Sequence, residues 1–113
     1  MTSVPLDSVF AALADPTRRA IVERLVARGE LSAGDIAANF AISFPAISRH
    51  LRVLEAAGLV HRRAAKQKRL IRLRPESLTL AQSWIEQQRA HWHAALDRLE
   101  AVIAAETPKG RRT

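Results

Sequence analysis

Two helix starts lie only eleven residues apart, at Ser32 and Ser43, and that spacing constrains the fold more than any other feature of the chain. Ser32 and Asp35 form an S-x-x-D start signal. Ser43 stands two residues before Pro45, which a first helical turn tolerates. The first segment has a short apolar face, Ile36, Ala37 and Phe40. The second places Ile47, Leu51 and Leu54 at i, i+4 and i+7, pointing inward, and Gly58 ends it. Only a tight turn fits between them, so the pair reads as a helix-turn-helix.

Upstream, Leu6, Val9, Phe10 and Leu13 share one face of a short helix. Asp15-Pro16 then caps and opens a second helix, whose inward face is Ile21, Val22, Leu25 and Val26 and whose stop is Gly29. Downstream, LVHRRAAKQKRLIRLRP has apolar ends around a basic centre. It predicts a two-stranded hairpin with its tip near 65–68, although the tip lacks Gly, Asn or Asp. Pro75 ends the second strand, and Thr79 with Gln82 suggests a capping box for a last helix over about 80–105. Along it Ala81, Ile85, Trp92, Leu96, Leu99 and Ile103 form one stripe, widened by Trp84, Ala95 and Val102. One small core does not need so broad a stripe, so part of it is expected to meet a second copy of the chain. The expected fold class is mainly α with a small β-hairpin, a winged helix-turn-helix. It spans 1–107 and is followed by a disordered basic tail at 108–113.

The charge is unevenly placed. Residues 43–74 carry nine Lys and Arg against the single acid Glu55, whereas the other 81 residues carry nine basic and ten acidic groups. A solvated surface usually mixes signs, so the +8 segment points to a polyanionic partner rather than to solubility alone. With its apolar side inward, the 43–57 helix presents Ser43, Phe44, Pro45, Ser48 and Arg49 at its N-terminal end. Arg bridges guanine O6 and N7, Ser bonds base edges or phosphate, and Phe contacts a thymine methyl. His50 and Arg52 suit phosphate contact, which sets register. The wing at 59–74 supplies Arg62, Arg63, Lys66, Lys68 and Arg69. The alternative is a winged-helix module that mainly binds protein or RNA, though stacking on single-stranded RNA would have only Phe44 to use. There is no G-x-S-x-G, phosphate loop or paired-carboxylate pattern, so the chain does not read as an enzyme. It has no cysteine, hence no thiolate metal site. No signal-peptide pattern is present, and a cytoplasmic location is expected.

The strings DPTRRAIVERL, ELSAGDIA and SFPAISRHLRVLEAAGLVHRR, followed by a basic wing and a long helix, resemble the ArsR family of bacterial winged-helix repressors over roughly residues 5–105. The resemblance implies a homodimeric transcriptional repressor that binds double-stranded operator DNA, with the first and last helices as the dimer interface. It places DNA recognition on 43–52 and on the wing at 62–69. Phe44 departs from the polar residue many relatives carry there. The arsenic-sensing stretch written ELCVCDL in relatives reads ELSAGDI here, with Ser32 and Gly34 in the cysteine positions. The last-helix ligand pattern of other relatives is also missing. His93 and Asp97 share a side of the helix, while His91 points elsewhere, too few ligands for zinc within one chain. No cofactor or metal is therefore expected.

Overall fold

The computed structural model describes residues 5–106. The proposed tail at 108–113 lies outside the described residues. The elements run α1 (Leu6–Leu13), α2 (Pro16–Arg28), β1 (Glu30–Ser32), α3 (Ala33–Ala38), α4 (Phe44–Ala56), β2 (Val60–Ala65), β3 (Lys68–Leu73) and α5 (Pro75–Glu106). The described residues divide into two units after Ala81.

In the first unit the capping residues act as their sequence suggests. Asp15 accepts the Arg18 N–H at 3.0 Å, Ser32 that of Asp35 at 3.0 Å and Ser43 that of Ala46 at 3.3 Å. Each satisfies a donor that the first turn leaves without an intrahelical partner. The orphan carbonyls of α1 are met by the next helix. Arg18 donates to Ala12 and Ala11, and Arg19 to Leu13 and Ala14. At the end of α4, Gly58 takes φ 73°, its N–H bonds Glu55 and that of Leu59 bonds Leu54. That is the Schellman pattern, and the residues Leu54 and Leu59 that bracket it are both fully buried. The core gathers Val9, Ile21, Leu25, Ile36, Ile47, Leu51, Leu54, Leu59 and Ile71, one or more from every element before α5 except β1 and β2; β2 adds Val60, and the half-buried Leu31 of β1 packs against the cluster.

The structure corrects three expectations. Val26 is not inward: it is 64% exposed, because the core takes only the edge of α2 formed by Ile21, Val22 and Leu25. The hairpin belongs to a three-stranded antiparallel sheet of order β1-β3-β2. Its third strand pairs Leu31 with Ile71 and Glu30 with Arg72. Three residues that also lead into a helix cap give no strand signal, and only the far edge of β3 makes them one. The last helix starts at Pro75, not near 80. Pro is pre-set for a first helical position, where its missing N–H costs nothing. Thr79 is therefore inside the helix, and its Oγ1 donates back to the Pro75 carbonyl at 3.1 Å instead of capping. Within the same unit the start of α5 is held by Ser77, whose buried Oγ donates to the carbonyls of Gly58 and Ala57.

In the second unit α5 continues without interruption to Glu106. Its apolar positions are uncovered: Ile85, Trp92, Leu96, Leu99 and Val102 are 43, 64, 38, 55 and 54% exposed. Trp92 thus lies outside the core of the single chain.

Candidate nucleic-acid interface

The side of α4 opposite Ile47, Leu51 and Leu54 is open. Phe44, Pro45, Arg49 and Arg52 are exposed and Ser48 is half-buried. Arg52 Nη1 donates to Ser48 Oγ at 3.2 Å, one turn back along the helix. Arg49 makes no ion pair among the described residues. His50, the next residue, turns the other way. Its Nδ1 lies 3.3 Å from Arg18 Nη1 and 3.8 Å from Asp15 Oδ2, at the start of α2.

The wing is the β2–β3 hairpin with a two-residue tip, Lys66 and Gln67. Lys66 takes φ 60°, the left-handed region, so a lysine fills the turn position where Gly, Asn or Asp is usual. Arg62 and Arg63 are drawn back into the protein. Arg62 Nε donates to Glu55 at 3.1 Å, and Arg63 grips both oxygens of Glu30 at 3.0 and 3.2 Å. The Arg63 hydrogen bond, with its charge and those of Arg72 and His61, holds the Glu30 carboxyl below its usual range against a smaller opposing effect of desolvation. The Arg18 backbone N–H does the same for Asp15, helped by the charges of Arg18 and His50. Lys66, Lys68 and Arg69 are exposed and have no acidic partner among the described residues.

α4 and the wing wall one cleft of about 470 Å³. Of the residues expected at the site, Phe44, Ser48, Arg62, Lys68 and Arg69 line it. Ser43, Pro45, Arg49, His50, Arg52, Arg63 and Lys66 lie outside its lining. Gly34 and Gln67 line it too and were not anticipated. Gln67 was findable, since it sits between two lysines at the hairpin tip. Gly34 was not, because only tertiary packing brings the start of α3 beside α4 and the wing. Arg18 was also missed: its link to His50 joins residues 32 positions apart and has no local signature.

Chemically, this surface suits a polyanion: among the described residues Arg49 on the helix and Lys66, Lys68 and Arg69 on the flanking ribbon are exposed and make no ion pair. Among the described residues no three His, Cys, Asp or Glu side chains come together to hold a metal, and no helix is long and apolar enough to cross a membrane.

Comparison with known proteins agrees with this geometry. A helix-turn-helix domain family matches residues 13–63. The chain is 41% identical over 100 residues to the HTH-type transcriptional regulator Rv2034 of Mycobacterium tuberculosis, covering 88% of this chain and 90% of that one. It is 47% identical over 55 residues to the transcriptional repressor SdpR of Bacillus subtilis, covering 49% and 60%. Among solved structures, an ArsR-like transcriptional regulator from Rhodococcus sp. RHA1 superposes with a TM-score of 0.76 at 33% identity, covering 86% of this chain and 91% of that one.

Proposed function

Since the chain belongs to the ArsR family of winged helix-turn-helix transcriptional regulators, DNA-binding proteins and not enzymes, we propose that it is a homodimeric repressor of an inverted-repeat operator. The observation that carries this reading is the shared orientation of two elements. The N-terminal end of α4 and the basic wing wall the same cleft, and Arg49, Lys66, Lys68 and Arg69 have no acidic partner among the described residues. A helix of this width enters a major groove, and the wing lies along the neighbouring backbone. Ser43, Phe44, Pro45, Ser48 and Arg49 face the bases. His50, Arg52 and the wing residues Arg62, Arg63, Lys66, Lys68 and Arg69 supply phosphate contact or hold the wing for it.

The dimer reading rests on α5. A soluble helix rarely leaves a continuous apolar stripe to water, and a two-fold axis lets the same stripe cover itself. Together with α1 it would form the seam. Two α4 helices then stand about one DNA turn apart, ~34 Å. Repression follows from occupying the operator, as the name of the related SdpR suggests. The test is a gel shift on the chain's own promoter duplex against a scrambled duplex. Retention of the promoter alone, with protection in two half-sites about 10 bp apart, is expected. Equal retention of both duplexes would end the operator reading.

A further inference from the structure

Arg18 connects three elements. Its Nε and Nη2 donate to the Ala12 and Ala11 carbonyls at the end of α1, 2.7 and 3.2 Å away, and its Nη1 reaches His50 Nδ1 on α4 at 3.3 Å. Beneath it, Ala11 and Ala12 of α1 face Val53 and Ala56 of α4 across a narrow groove. A guanidinium only donates, so the imidazole nitrogen it meets must be the acceptor. A neutral His50 held this way carries its single proton on Nε2. That nitrogen makes no hydrogen bond among the described residues and is not sealed from solvent. It lies on the recognition segment one residue after Arg49.

We propose that Arg18 is a positioning residue for DNA binding: anchored on the end of α1, it fixes the ring and tautomer of His50 so that Nε2–H is offered to a DNA phosphate. The proposal rests on α4 being the groove helix. It assigns Arg18 a part that its place on α2, outside the basic segment, does not suggest. Asp15 is the competing partner, at 3.8 Å from the same Nδ1. An imidazolium would turn to it and could no longer accept from Arg18. The charged groups facing the ring are therefore Arg18 and Asp15 from α2, while α1 contributes only backbone carbonyls.

A phosphate contact is independent of sequence, so the test uses a labelled random duplex at low salt with the full-length chain. Carbon and nitrogen chemical shifts of His50 at about pH 8, above the ordinary imidazole range, report the tautomer directly. The expected spectrum is that of a neutral Nε2–H ring, mixed with the other tautomer in Arg18→Gln. Duplex affinity should fall about five-fold per protomer in Arg18→Gln and in His50→Ala, the size of one hydrogen bond. His50→Gln, which can accept and donate at once, should recover most of the His50→Ala loss. The double variant should bind no worse than His50→Ala. A neutral Nδ1–H ring or an imidazolium in the parent chain overturns the proposal. So does His50→Ala binding as the parent does, or an Arg18→Gln effect undiminished beside His50→Ala. If Arg18→Gln fails to fold, the tautomer and the two His50 variants still decide. Failure of the parent chain to bind any duplex would instead remove the groove-helix reading.

Discussion

Arg49 and Arg63 are both arginines of the basic segment, yet the structure gives them opposite circumstances. Arg63 is bound by both oxygens of Glu30, while Arg49 is exposed and makes no ion pair among the described residues. Arg49→Ala should therefore cost ~1–3 kcal/mol at the cognate site and much less on random DNA, the signature of bidentate guanine contact. Titrating both duplexes with both proteins checks this, and equal losses would show that Arg49 does not read sequence. Glu30 has its own expected effect. Its carboxyl is held below the ordinary value of 4.5, chiefly by the Arg63 hydrogen bond, so the unfolded chain takes up its proton first as acid is added. The stabilisation it provides is present above that ordinary value and fades as pH falls through the lower native one. Glu30→Gln should be less stable at neutral pH and lose less on acidification, measured by urea unfolding across pH 3–7. The sequence showed these residues as charges, but not which arginine was already taken, since Glu30 and Arg63 meet only when β1 joins the sheet.

At the scale of the element, the hairpin tip trades stability for charge. Lys66 holds φ 60°, which costs a non-glycine residue about 1 kcal/mol. Lys66→Gly should raise thermal stability relative to Lys66→Ala, while both weaken DNA binding equally. Calorimetry together with DNA titration separates the two effects. Replacing Lys66 and Lys68 together by Ala should weaken all duplexes alike. It should also flatten the log–log salt dependence by ~0.9 per lost phosphate contact, ~3.6 for a dimer losing four. An unchanged slope would mean that the wing tip does not touch phosphate. Helices α1 to α4 were legible because capping and periodicity are local. β1 and the early start of α5 were not: the strand exists only by pairing with β3, and Thr79 and Gln82 imitate a cap inside a helix that Pro75 had already begun.

At the scale of the whole molecule, α5 is about 48 Å long by its 32 residues, and its stripe from Ile85 to Val102 is open in the single chain. Leu99→Asp should dissociate the dimer and leave helicity intact, because Leu99 is 55% exposed and supports no core. Each copy loses about 1.5–3 kcal/mol of burial, twice over by symmetry, before the charge is counted. Light scattering with circular dichroism reads both quantities, and a parent chain that is monomeric at micromolar concentration would refute the seam. By itself the sequence determined the helix-turn-helix, the wing and the place of the excess charge, because caps, periodicity and composition act over a few neighbouring residues. The tertiary structure decided the third strand, the pairing of Arg63 with the distant Glu30, the exposure of Val26 and Trp92, and the turning of His50 toward Arg18. Each of these depends on which surfaces meet once the chain has closed on itself, and residues far apart in sequence carry no local record of that meeting.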